Sequence, residues 1–190
     1  MADSRNTRQA LAQALRQLVP QKGFDKISVS DITTACGMGR QSFYYHFQDK
    51  FELLEWIYQT EAFAPFCQGL TLENWHQRMG EMLRILETER SFYLPVTKAQ
   101  PQHFEDCLFQ ILEALFLSIV DQIDERGTTD RERRQFAAAF YARGCCAVVL
   151  QWMVGGMRFP SARLADDLFH LAKDSERAAA RITQGNSGDS

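Results

Sequence analysis

The stretch from Ser28 to Lys50, SVSDITTACGMGRQSFYYHFQDK, constrains the fold more than any other part of this 190-residue chain. Ser28 stands three residues before Asp31, a serine-x-x-acid capping box, and Val29, Ile32, Ala35 and Cys36 then recur at helical spacing. Gly37 can take the left-handed backbone that stops a helix, and Met38 between Gly37 and Gly39 can plug a small core while the chain reverses. The pattern predicts two short helices joined by a tight turn, the second over residues 40–46, which is the helix-turn-helix arrangement.

That second helix is polar almost all round. Arg40, Gln41, Ser42, Tyr44, Tyr45 and His46 all form hydrogen bonds, and only Phe43, with Phe47 one turn on, is purely apolar. Such a helix packs on a narrow stripe and presents the rest outward. Arginine can grip guanine O6 and N7 through two hydrogen bonds, and glutamine can do the same with adenine N6 and N7. Arg40 and Gln41, with Tyr45, are therefore the expected base readers. Ser28, Ser30, Ser42, Tyr44 and His46 are donors suited to phosphate oxygens, which fix register without reading sequence. Lys50, at the opening of the next helix, is expected to add a cation beside free backbone amides, a phosphate site.

These residues carry a resemblance. Ile32, the Ala35-Cys-Gly37 turn, Phe43-Tyr-Tyr-His-Phe47 and Asp49-Lys-Phe-Glu-Leu-Leu54 resemble the DNA-binding domain of TetR-family transcriptional regulators. Thr33-Thr34 departs from the Ala-x common in that family, and Gly39 replaces the usual serine-like cap. The resemblance implies a helix-turn-helix domain over residues 1–50 and a helical effector-binding and dimerisation domain over 51–183. It also implies a fourth helix, from Phe51 to about Ala64, that transmits ligand state to the head. Residues 184–190, rich in glycine and serine, are expected to be a disordered tail. Tyr141-x-x-Gly144, Leu150-Gln-Trp-Met-x-Gly-Gly156 and the Pro-x-x-x-Leu that follows resemble the branch that includes regulators of dihydroxyacetone kinase genes.

Charge supports the division. The chain totals −3, but residues 1–50 hold seven lysines and arginines against four aspartates, so the head is +3 and the remainder −6. A positive head on a negative body steers DNA to one end. Downstream, no alternation of strand period occurs, and the fold class is all-α. Helices are expected around Trp75–Leu86, from Pro101 to about Arg126, from Asp130 to Val154, stopped by Gly155-Gly156, and from Ser161 to about Ile182. Pro65 is expected to break the fourth helix, Thr71 to cap the next, and the Pro-interrupted run Ser91–Gln100 to be looser.

The two long helices at 130–154 and 161–182 are apolar over more surface than one neighbour can cover, and Ala137, Ala138, Ala139, Ala142, Gly144 and Ala147 permit close approach. A two-fold homodimer built as a four-helix bundle satisfies that demand. Two heads about 34–36 Å apart would then address successive major-groove turns of a near-palindromic double-stranded DNA operator. An effector pocket for a small molecule is expected among Trp56, Phe63, Phe66, Met79, Met82, Phe92, Tyr93, His103, Phe104, Phe116, Tyr141 and Trp152, each of which could equally be ordinary core. The family resemblance also leaves open a co-regulator whose body docks a second, ligand-sensing protein. In that case the interior is expected to be filled.

No nucleophile–base pair, glycine-rich phosphate loop or metal-spaced cluster stands out, and His76 and His103 are not spaced as ligands. No enzyme, cofactor or metal is expected. Five cysteines without C-x-x-C spacing read as reduced thiols, and neither an N-terminal apolar run nor a stretch of about 20 apolar residues is present. The cytoplasm, with no membrane association, is the expected compartment.

Overall fold

The computed structural model describes residues 2–71, 73–123 and 130–185. Among the described residues every regular element is helical, as expected of an all-α chain. The order is α1 (Ala2–Lys22), a 3-10 turn (Phe24–Lys26), α2 (Val29–Ala35), α3 (Arg40–Tyr44), α4 (Lys50–Ile57) running through a π turn (Tyr58–Phe63) into α5 (Ala64–Cys67), then α6 (Trp75–Thr88), α7 (Arg90–Ala99), α8 (Pro101–Ile123), α9 (Arg131–Val154) and α10 (Ser161–Gly185). The predicted end of α8 near Arg126 and the turn at 127–129 lie outside the described residues, as do 186–190 of the tail. Helix α10 continues to Gly185, two residues past the expected boundary at 183.

The head is built as its sequence dictates. Helix α1 buries Leu11, Ala12, Leu15 and Val19 against Ile32 of α2 and Phe43 of α3, with Phe24, Ile27 and Phe47 closing the edges. The Ser28 side chain accepts the Asp31 amide at 3.2 Å while the Ser28 amide donates to Asp31 Oδ2 at 2.7 Å, so the capping box is complete. Lys22 pairs with the same carboxylate at 2.7 Å. The Lys22 and Ser28 bonds hold the Asp31 carboxyl well below the usual range. Gly37 takes φ +67°, and the Met38 amide bonds back to Thr33 O at 2.8 Å, which turns the chain from α2 to α3.

Three expectations about the body are corrected. Pro65 does not end the fourth helix. It has no N–H to return to an upstream carbonyl, and the preceding six residues widen into a π turn that accommodates the change of register, so the helix resumes at Ala64. Thr71 does not cap α6; Asn74 closes that turn, accepting the Thr71 amide and donating to Gly69 O, both at 2.8 Å. The run from Ser91 is a regular helix, α7, despite Pro95, because Phe92, Tyr93, Val96 and Thr97 form one buried face. Burial of that face outweighs the hydrogen bond lost at the proline.

The later stops and starts follow their sequence signals. Asp130 Oδ1 caps α9 through the Arg133 amide at 2.8 Å. Gly156, at φ +90°, lets the Gly156 and Met157 amides reach Met153 O and Trp152 O at 2.9 and 2.8 Å, and α9 ends there. Helix α9 lies along α8, and α10 lies on α6 through Leu164, Ala165 and Leu168. By length and composition α9 is the one helix among the described residues that could cross a membrane. It nevertheless carries Arg131, Arg133, Arg134 and Arg143, and its Ala138, Ala142, Cys146, Val149 and Met153 pack inside the fold. Phe136 and Phe140, on its other side, are 75% and 67% exposed.

Candidate nucleic-acid interface

Helix α3 has five residues, no side-chain cap at Gly39, and one buried anchor, Phe43. Phe43 packs on Phe47 with ring centroids 5.8 Å apart, and Phe47 in turn meets Trp56 at 6.1 Å. A helix this short has no stability of its own, so its orientation is fixed by those rings. Arg40, Gln41, Ser42, Tyr44 and Tyr45 are all exposed, Tyr45 at 82%, and His46 is half-buried with its ring edge-on to Tyr45 at 5.0 Å. Ser30 is also exposed, on the first turn of α2. The expected base readers and three of the expected phosphate donors, Ser30, Ser42 and Tyr44, are therefore open to solvent, with His46 half-buried beside them.

Two expected contacts are corrected. Lys50 is not a free cation beside open amides. Asp49 Oδ1 takes the Phe51 and Glu52 amides at 2.8 and 2.9 Å, and Lys50 Nζ donates to Phe24 O, Asp25 O and Ile27 O at 2.9, 3.1 and 2.9 Å. All three of its protons are spent on the carbonyl end of the 3-10 turn, 4.7 Å from the Phe24 ring centroid. Burial pushes its ammonium down, against the charges of Asp25 and Asp49. Ser28 is the second correction: its hydroxyl donates to Asp31 and accepts from the Asp31 amide, so capping uses it. Arg16 turns inward as well, toward Glu61 and Glu89. Of the head's seven cations Arg5, Lys22, Lys26 and Arg40 stand exposed, Lys22 paired with Asp31.

The expected effector-pocket residues fall into several settings. Phe63, Tyr93 and Phe104 pack around Tyr58, with centroids 5.8, 5.9 and 5.4 Å from it, and His103 lies at the edge, 6.3 Å away. Phe66, Phe92, Met79 and Met82 are buried in the same continuous core. Trp56 sits under Phe47, and Phe116 stacks at 5.7 Å on Tyr141, which is 46% exposed. Trp152 donates to Phe159 O at 2.9 Å and lines a separate open cleft of about 470 Å³ with Val148, Gln151 and Arg158. Within the stack the Tyr58 hydroxyl, Thr97 Oγ1 and His103 Nε2 are buried without a hydrogen-bond partner among the described residues. Burial pushes the Tyr58 phenol up, and it pushes the thiols of Cys145, Cys107 and Cys146 up to about 11, 12 and 12. Sequence reasoning missed Tyr58 and Thr97; their signal was the apolar spacing of their helices, in which a tyrosine and a threonine pass as edge residues.

Comparison with known proteins settles the class. Residues 11–57 match the model of bacterial regulatory proteins of the tetR family, and residues 73–174 match that of a TetR transcriptional regulator C-terminal region. The chain belongs to the TetR family of transcriptional regulators. It is similar to the HTH-type dhaKLM operon transcriptional activator DhaS of Lactococcus lactis subsp. lactis (strain IL1403), at 27% identity over 152 residues covering 79% of this chain and 81% of that protein. Among solved structures it resembles the dihydroxyacetone kinase operon activator DhaS, with TM-score 0.68, 23% identity and coverage of 89% and 95% of the two chains. It also resembles NalD, the secondary repressor of the MexAB-OprM multidrug efflux pump in Pseudomonas aeruginosa, with TM-score 0.53, 20% identity and coverage of 90% and 95%. The family match over residues 11–57 covers the helix-turn-helix part of this TetR-family protein, and the branch likeness seen at 141–156 agrees with the similarity to DhaS.

Proposed function

We propose that this regulator binds a near-palindromic operator as a homodimer and acts as a repressor whose grip changes with an effector signal. The observation that carries the reading is the outward face of α3, where Arg40, Gln41, Ser42, Tyr44 and Tyr45 are exposed around a single buried anchor. Arg40, Gln41 and Tyr45 read base edges; Ser30, Ser42, Tyr44 and His46 hold phosphates. Two copies pair through α9 and α10, whose exposed Phe136, Phe140 and Leu171 would be covered in the pair. The protein works in the cytoplasm, beside its DNA, without enzymatic turnover.

The filled ring stack favours a second reading of the signal. A body whose aromatic interior is already packed takes its input from a docked protein more readily than from a molecule between α4, α7 and α8. Selection of genomic fragments by the purified protein at two salt concentrations tests operator binding; indifference to all fragments at low salt overturns it. Thermal melts across a small-molecule panel test direct sensing: a compound that raises the melting temperature and releases operator favours a ligand in the body. Reporter expression in a strain lacking the protein fixes the sign of regulation.

A further inference from the structure

At the corner where α6 meets α7, Glu87, Glu89 and Arg90 reach three different parts of the fold. Glu87 Oε2 accepts from the amide and hydroxyl of Ser161 at 3.2 and 2.6 Å, holding the first residue of α10. Arg90 Nη2 donates to Gly156 O at 2.9 Å, in the turn that ends α9. Glu89 Oε2 accepts from Arg16 Nη1 of α1 at 3.3 Å. Arg16 also pairs with Glu61 in the π turn, donates to the Tyr93 hydroxyl at 3.3 Å and lies 4.8 Å over the Phe92 ring. Only 15% of its side chain is exposed, which marks it as a held group and not a surface cation.

Backbone hydrogen bonds run through the corner, from the Glu89 amide to Ile85 O at 3.0 Å and from the Phe92 and Tyr93 amides to Glu89 O at 2.9 and 3.0 Å. Beside it an open cleft of about 570 Å³, lined by Gln13, Arg16, Gln17, Glu61, Ile85 and Glu89, gives the head room to swing once the grip is released. We infer that the Glu87–Arg90 corner is the coupling block that fixes the angle of the DNA-reading head against the α9–α10 turn, with Arg16 and Arg90 as positioning residues on its two sides. The inference rests on the operator-binding homodimer reading for its consequence on DNA, but the mechanical link stands within one chain. Arg16 grips the block from the head, and Arg90 and Glu87 tie it to the body on two sides.

The test uses the full chain and the variants Arg16→Met, Arg90→Met and their double, with Arg16→Lys as the conservative control. Affinity is measured on the selected operator and on versions with one base pair inserted or removed between half-sites, which turns one half-site by about 35°. The parent is expected to lose about fivefold on the altered spacings, the lower end of the effect of one mismatched pair. Each single variant is expected to bind the three spacings within about twofold of one another, and the double to be at least as tolerant as either single. Arg16→Lys, which can keep one carboxylate pair, should retain part of the discrimination. An equal loss on every spacing, or preserved discrimination in both singles, overturns the inference. A DNA-free arm separates it from the operator reading: spin labels at Thr34 and Gln110, with the exposed Cys67 changed to Ser, should give a narrow head-to-body distance in the parent and a broadened one in each variant. An unchanged distribution in variants that melt as the parent does overturns the coupling even if no operator is found.

Discussion

The surface of α3 and the ring stack between α4, α7 and α8 are made from the same kinds of residue, and they do opposite things. Each brings tyrosines, phenylalanines and a histidine together. On α3, Tyr44 and Tyr45 are 54% and 82% exposed because a five-residue helix has one side to bury and Phe43 takes it. In the body, Tyr58 and Tyr93 are wholly buried because the π turn, α7 and α8 close over them. An aromatic side chain ends exposed or buried according to how many neighbouring elements compete for its ring.

The sharpest way to break this contrast is to remove an anchor on each side. Phe43→Ala should cost about 3–5 kcal/mol, the usual range for a buried phenylalanine, and should melt the head while the body stays folded; Phe104→Ala should cost as much but lower the main transition. Calorimetry or denaturant melts with separate head and body probes decide it. A single shared transition in both variants would erase the distinction between the regions. Next in size is Arg40→Ala, expected to weaken operator binding by about 1–3 kcal/mol at one base position while leaving random DNA nearly unaffected. Equal loss on both removes Arg40 from the base readers.

Lys50→Gln sharpens the comparison from the other direction. Because three carbonyls hold its ammonium, the variant should lose about 1–3 kcal/mol of head stability yet keep the slope of affinity against salt. A slope lower by about 1 would return Lys50 to the phosphate set. Tyr58→Phe should change body stability by about 1 kcal/mol or less, in either direction, since its hydroxyl is buried without a partner. The smallest effect is in pH. The Asp31 carboxyl titrates below its ordinary value of about 3.9, so its share of stability is complete above that value and is lost only as pH falls through the lowered one. Carboxyl NMR of Asp31 should show the anion still present near pH 4, and a titration at the ordinary value would mean that the capping box is open in solution.

Local signals made the head legible. A capping box, a glycine at positive φ and two phenylalanines four apart act within a single turn of chain, and the structure has each where the residues put it. Lys50 was misread because its partners, Phe24 O to Ile27 O, lie more than twenty residues upstream and are backbone atoms, which no side-chain pattern announces. Pro65 and Pro95 were misread for a related reason. A proline forbids one hydrogen bond, but whether the helix ends depends on how much apolar surface the far side buries, and that is set by tertiary neighbours. The pocket residues were chosen by type, and type alone does not distinguish rings that line a space from rings that fill it. Tyr141 and Phe116, paired on the α8–α9 surface, show the gap most clearly.

The shortness of α3 has a consequence for how such a protein changes over time. Its buried anchors are Phe43 and Phe47, whereas Arg40, Gln41, Ser42, Tyr44 and Tyr45 stand exposed. Target preference can therefore drift, or be redesigned, by exchanging solvent-side letters of one small rod without endangering the architecture that carries it.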